Sequence, residues 1–396
     1  MTCTTLFELE RTCYQLFLKD LSDLIKIKSY IMKKIILGLF VLYAMNNQAQ
    51  NPIALDTINW DINAKAHVFE HYKGKDALYL QQGNATLKNT TFLNGTIEFD
   101  VYLTERQSFP GVYFRAVGRD GESFFLRPHL SGKPDANQAA PFVNGITPWQ
   151  LYFGPSYSFA YDYNFNGWTH IKLVINNDKA QVFLDYSEKP NLSWTLKHPV
   201  RRGEVLIGGS FAPIHYANFS IDTTKTQLID FNEIKRKPIK GLISKWQVSN
   251  KFEEKLLNNP KNIKAIVKSR KWLGTINVEE GTAANISRKI VLYDGNPGNT
   301  VFAKVEIESN KKQLKFLDFG YSDRVVVILN GKPIYRGTNK WRSRDYRYLG
   351  TVGLFDGVYL NLKKGTNTLL LAVSEDFGGW LVTGKISDVE NSKTTE

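Results

Sequence analysis

From residue 51 to about 222, apolar and polar positions alternate in short runs separated by turn-forming residues. Residues 96–103, Thr-Ile-Glu-Phe-Asp-Val-Tyr-Leu, make nearly every second side chain apolar, the pattern of a half-buried strand. Residues 111–117 and 123–127 flank the turn Arg119-Asp120-Gly121-Glu122 and read as a hairpin. Residues 168–175 and 180–185 read as another, around Asn176-Asn177-Asp178, and runs at 204–208 and 217–221 complete the block. No helical period of useful length interrupts it. Evenly spaced strands with this turn chemistry predict an antiparallel sandwich.

The alternation lapses over 223–240, which contains Lys235-Arg236-Lys237-Pro238 and reads as a connector. A short helix is expected at 250–257. Strands then resume at 265–267, 288–293, 300–308, 313–319, 324–329, 332–335, 357–362 and 367–373, with Asn330-Gly331 as a hairpin turn. The predicted class is all-β: two antiparallel β-sandwich (jelly-roll) domains in tandem, 50–222 and 241–389, followed by a disordered polar tail at 390–396.

The first fifty residues bear on compartment. Met32-Lys33-Lys34 begins a basic stretch, residues 35–45 are an apolar run too short to span a membrane, and Ala49 offers a cleavage site. A signal peptide is expected at 32–49, with a secreted, periplasmic or cell-surface mature chain lacking a transmembrane segment. Residues 1–31 read as a mis-assigned upstream segment or as an uncleaved amphipathic anchor. Both cysteines, Cys3 and Cys13, lie there, so the mature chain would have no disulfide, thiol chemistry or cysteine-held metal. The net charge is +13, from 51 basic and 38 acidic residues. Export argues against nucleic acid as the partner. An acidic polysaccharide, or merely a soluble basic surface, fits the charge.

Asn94-Gly-Thr-Ile-Glu-Phe-Asp-Val, Gly111-Val-Tyr-Phe-Arg and Trp168-Thr-His-Ile-Lys-Leu-Val-Ile with Ala180-Gln-Val-Phe-Leu-Asp carry a resemblance to concanavalin A-like (laminin-G-like) lectin and glucanase domains. The stretch from Phe319 to Lys332 and the stretch from Leu360 to Val373 resemble the galactose-binding-like jelly rolls that accompany many glycosidases. Together they imply an exported sugar-handling protein of bacterial polysaccharide utilisation. Fold alone does not decide between lectin, hydrolase and adhesion module.

The related glucanases place three acids on one strand face. Here Glu98-x-Asp100 begins that pattern, but Tyr102 and Leu103 follow, and Glu105 comes too late. The two acids are expected to face solvent on an edge face. His67 and His71 lack a helix on which to share a metal, and no cofactor is expected. Calcium would suit the fold class through Asp120-Gly121 or Asp294-Gly295, pairs that also read as turns.

Two loops mix aromatic and hydrogen-bonding side chains, as sugar recognition requires. The first supplies Arg127, His129, Asp135, Asn137, Gln138, Asn144, Trp149, Tyr152 and Tyr161. It reads equally as a binding loop or as one packed on itself. The second supplies Trp341, Arg342, Arg344 and Asp345, suited to an acidic sugar through the guanidinium fork, with Asp376 and Trp380 nearby in sequence. The expected function is non-catalytic binding of a polysaccharide or oligosaccharide. The alternative is a glycoside-cleaving enzyme of the keto-disaccharide hydrolase or glucanase type, with Glu122, His129 and Asp135 as catalytic suspects. A protein-binding adhesion module is the third reading. The glycan and the oligomeric state stay open.

Overall fold

The computed structural model describes Lys28, residues 32–34 and 52–340, Ser343, and residues 351–389. The chain divides into a unit of Met1–Asn51 and a unit of Pro52–Glu396. The expected signal peptide beyond residue 34, the cysteines and the tail at 390–396 lie outside the described residues. Among the described residues no helix is long and apolar enough to cross a membrane. Strand accounts for 52% of the described residues and helix for 7%, and the strands form two large antiparallel sheets, each folded into a sandwich.

The first sheet comprises β1 (Trp60–Tyr72), β2 (Lys75–Leu87), β3 (Gly95–Leu103), β4 (Gly111–Val117), β5 (Asp120–Leu126), β6 (Asn137–Phe142), β7 (Gly167–Asn176), β8 (Lys179–Leu184), β9 (Leu192–Thr195), β10 (Glu204–Gly209) and β11 (Ile214–Asp222). Its order is β6-β5-β4-β10-β2-β11-β3-β7-β8-β9, with β1 on β2. The long β1–β2 hairpin joins the two layers: residues 83–86 of β2 pair with β10, and 77–80 pair with β11. Gly83 sits where the strand passes between them, at φ +151, and a Cβ there would lie 2.2 Å from Asn63 O. Odd positions of β3 (Ile97, Phe99, Val101, Leu103) face the core with Ile171, Leu173, Phe114, Phe124, Tyr216 and Phe219. Burial of each such large side chain is worth about 1.5–3 kcal/mol.

The second sheet comprises β12 (Lys245–Ser249), β13 (Trp272–Glu279), β14 (Ala283–Asn285), β15 (Thr300–Ser309), β16 (Gln313–Ser322), β17 (Arg324–Leu329), β18 (Lys332–Thr338), β19 (Asp356–Leu362), β20 (Gly365–Ser374) and β21 (Leu381–Asp388). Within this second block an α-helix, α1, spans Ile263–Lys268. Val325, Val327, Leu369, Leu371 and Val373 face the sandwich core. Their neighbours Val326, Ile328, Leu370 and Ala372 face outward and are covered by Phe252, Leu257, Ile263 and Ile266 around α1. Both faces of these strands are dry, which explains their unbroken apolar runs.

Two expected strands are not present. Residues 265–267 belong to α1, because Ile263, Ile266 and Val267 share the helical face turned to the sheet. Of residues 288–293, Arg288 ends a 3-10 turn, Ile286–Arg288, capped by Asn285, and the rest run on without strand pairing. The helix expected at 250–257 is a 3-10 turn at Glu254–Asn258.

Residues 143–160 wedge the two sandwiches together. Gln150 Nε2 donates to Ser322 Oγ at 3.2 Å, and its Oε1 accepts from Gly379 N at 2.7 Å. Asn144 Nδ2 donates to Ser287 O at 2.6 Å. The Tyr152 hydroxyl donates to Glu279, which also takes both Arg288 nitrogens at 2.9 and 3.0 Å. Apolar burial crosses the same seam: Ala283, Val352 and Leu381 join the first core, and Ile146 joins the second.

Candidate functional site

The polar loop of the first sandwich turns inward. Asn137 is fully buried and exchanges hydrogen bonds with the Phe159 backbone at 2.9 and 3.2 Å. Gln138 is 1% exposed and donates to the carbonyls of Trp149 and Tyr152 while accepting from Arg127. Arg127 is 8% exposed and lies 3.6 Å from Asp135; burial pulls its pKa down to about 10 despite that carboxylate. Tyr152 and Asn144 are spent on the seam. These side chains satisfy buried carbonyls and carboxylates that would otherwise be orphaned. As sugar contacts Asn137, Gln138 and Tyr152 are therefore corrected: they are interior. Trp149 is half-buried, and Tyr161 is half-buried with its hydroxyl donating to Asp185 at 2.6 Å.

The catalytic suspects do not assemble. Glu122 is 2% exposed and accepts the N–H groups of Lys197 and His198 at 2.6 and 2.7 Å. Burial raises its pKa to about 7 against those bonds. It sits five residues along the chain from Arg127, roughly 17 Å at strand rise. His129 packs its ring edge-on to Phe109 at 5.2 Å, and burial followed by the Arg127 charge lowers its pKa. Among the described residues no hydrogen bond joins Glu122, His129 and Asp135. In the second sandwich Trp380 is fully buried, its indole donating to Val373 O at 3.1 Å, so it plugs the core. Asp376 is held by Arg324, Lys340 and Asn299 at 2.7–3.0 Å. Trp341, Arg342, Arg344 and Asp345 lie outside the described residues. Asp120 accepts from Asn144 N and Asp294 from Lys251, each the turn-and-pair role; no group of three or more metal-ligating side chains exists among the described residues.

The outward face of β11, β3 and β7 carries a cluster that sequence reasoning passed over. Even positions of β3 point away from the core, as do even positions of β7, and the register sets Asp100 opposite His170 and Tyr102 opposite Trp168. On the other side of β3, His215 of β11 stands opposite Tyr102. The acids expected at an exposed edge are thus on an interior strand, and the Asp100 side chain is only 2% exposed.

Asp100 accepts from Lys75 Nζ at 2.6 Å, Asn218 Nδ2 at 2.6 Å and His170 Nδ1 at 2.7 Å. Burial favours its neutral form, but these three donors outweigh it and lower the pKa. His170 Nε2 lies 3.3 Å from Glu98 Oε2, close enough to pair as ions but off the line of a good hydrogen bond. That contact lowers the Glu98 pKa. For His170 burial opposes charge, yet the two carboxylates prevail and lift its pKa to about 9. All three groups are therefore charged at neutral pH.

Aromatic rings surround this ionic knot. Tyr186 is 74% exposed and lies flat over His170, with centroids 4.1 Å apart and planes at 6°. Tyr72 stacks on His215 at 3.7 Å and meets Tyr102 edge-on at 5.1 Å. Trp168 meets Tyr102 at 5.5 Å, with Lys75 Nζ 5.0 Å from its ring. Residues 225–233 border the other end of the face, where Thr96, Gln181 and Thr195 bond to Lys225, Ile229 and Glu233 at 2.5–2.8 Å.

No protein-family model matches the chain, and no curated protein matches it. Among solved structures it is similar to the carbohydrate-binding module CBM66 from Bacillus subtilis, at 13% identity over 41% of this chain and 93% of that one, with a TM-score of 0.32. It is similar to a putative glycosyl hydrolase from Parabacteroides distasonis at 10% identity, over 44% and 95% of the two chains, TM-score 0.32. A Bacillus licheniformis beta-glucanase matches at 10% identity, over 43% and 97%, TM-score 0.31.

Proposed function

We propose that this chain is an exported carbohydrate-binding protein whose sugar lies on the outward face of β3, β7 and β11. The observation that carries this reading is the pairing of flat, accessible rings with fixed polar groups on one open sheet face. Tyr186, held rigid by its stack on the His170 cation, offers its outer surface to the apolar face of a pyranose. Glu98, against His170, and the exposed Asn218, bonded to Asp100, supply an acceptor and a donor for ring hydroxyls on the same face. Binding fits this chemistry better than hydrolysis. A glycosidase needs one carboxyl that keeps its proton, whereas Glu98 and Asp100 are both held ionised and Asp100 is already engaged by three donors.

Retention on immobilised neutral polysaccharides tests the proposal. Tyr186→Ala and Trp168→Ala should each weaken retention by up to about tenfold, as expected for loss of about 0.5–1.5 kcal/mol of stacking, and Trp149→Ala should not. Unchanged retention in both face variants, or reducing-end release that vanishes in Glu98→Gln, would overturn it.

A further inference from the structure

Three short connections of the second sandwich, one of them the β17–β18 hairpin turn, meet at one end and together crown it with lysines. Residues 310–312 join β15 to β16, residues 330–331 join β17 to β18, and residues 363–364 join β19 to β20. Strand register places them side by side. Ser309 stands opposite Gly365, Gln313 opposite Leu362, and Leu329 opposite Leu369. One buried side chain ties the 363–364 turn to the 330–331 turn. Asn367, fully buried, accepts from Lys363 N and Asn330 Nδ2 and donates to Lys363 O and Gly365 O, each at 2.9 Å.

Lys311, Lys312, Lys332, Lys363 and Lys364 stand exposed on this frame, and the side chain of Lys264 of α1 lies against Gly331. The nearest acid in the register, Glu308, accepts from Thr366 Oγ1 at 2.5 Å, and Glu306 from Thr368 Oγ1 at 2.8 Å. Among the described residues no ion pair engages these six lysines. Ammonium groups crowded on a rigid tip repel one another unless something anionic lies across them.

We propose that this tip binds an acidic polysaccharide, one bearing carboxylates along its length, as a contact separate from the aromatic face. The inference rests on the saccharide reading above for its choice of polymer. The tip has the make-up of a contact made by charge alone. Its turns supply point charges on a fixed backbone, with neither an arginine fork for phosphate nor an apolar side chain among 310–312 and 363–364 to enter a lipid surface.

The test uses the whole chain, with polygalacturonate as probe in a titration repeated at several salt concentrations. The variant Lys311→Gln/Lys312→Gln/Lys363→Gln/Lys364→Gln should bind at least about tenfold more weakly at low salt. Its slope of log affinity against log salt should become shallower with each lysine removed, by up to roughly 0.7 per lysine, the figure for single-stranded nucleic acid. Each two-lysine variant should give an intermediate loss, and an unchanged thermal midpoint shows that folding is intact. Wild-type affinity in the fourfold variant would overturn the proposal. So would equally tight, equally lysine-dependent binding of a duplex DNA or of phosphatidylglycerol vesicles. Trp168→Ala should leave polygalacturonate binding by the tip in place, so failure of the aromatic-face reading and failure of this one are read from different variants and different polymers.

Discussion

The ionic knot at His170 predicts a specific pH dependence of stability. Glu98 and Asp100 face its imidazole from β3, Lys75 reaches Asp100 from β2, Lys172 flanks Glu98 on β7, and Asp185 accepts the His170 backbone N–H at 2.9 Å. Unfolded, the imidazole would titrate near 6.5; folded, it holds its proton to about 9. Below pH 6.5 both states are protonated and the pairing contributes fully. Between 6.5 and 9 only the folded state keeps the proton, so stability falls as pH rises, and above 9 the contribution is gone. At 1.36 kcal/mol per pH unit the whole effect is about 3 kcal/mol. The assay is urea unfolding at half-unit steps from pH 6 to 10, for the wild type and His170→Gln, with the His170 ring titrated by NMR. The difference between the two proteins should shrink by about 3 kcal/mol across that range. Parallel stability curves, or a ring that titrates near 6.5, would refute the reasoning.

Two further changes probe the frame. Gly83→Ala should destabilise the first sandwich by more than about 2 kcal/mol in thermal or urea unfolding, since the new methyl would meet Asn63 O at 2.2 Å in a left-handed backbone; a wild-type midpoint would show that the hairpin is not fixed there. Glu122→Gln should flatten the stability profile between pH 4.5 and 7, where the wild type loses about 3 kcal/mol as its unfolded state ionises first; identical profiles would remove the buried carboxyl from the account.

How far the sequence was legible depended on period. The strands with regular alternation or long apolar runs, such as β3, β7 and β17, are where expected because their patterns answer to one or two dry faces. The β1–β2 hairpin was not foreseen: β2 changes layer in mid-strand at Gln82-Gly83, which breaks its alternation. The apolar trio 265–267 was compatible with either period, and only the sheet beneath α1 selects the helix. At the site the difficulty was chemical. Asn137 and Gln138 have the donors and acceptors a sugar wants, and the protein's own carbonyls want the same. Sequence does not say which will be satisfied. Conversely, Glu98, Asp100 and Tyr102 were noticed as one strand and Trp168-Thr-His170 as another, but only their register, Asp100 against His170, makes them one cluster.

The central claim is that sugar lies on the face of β3, β7 and β11, and NMR mapping with a binding oligosaccharide tests it most directly. The account predicts saturable shifts of the Trp168 indole and His170 ring signals, with those of Trp149 unmoved. Saturable shifts at Trp149 with Trp168 and His170 unchanged would contradict it.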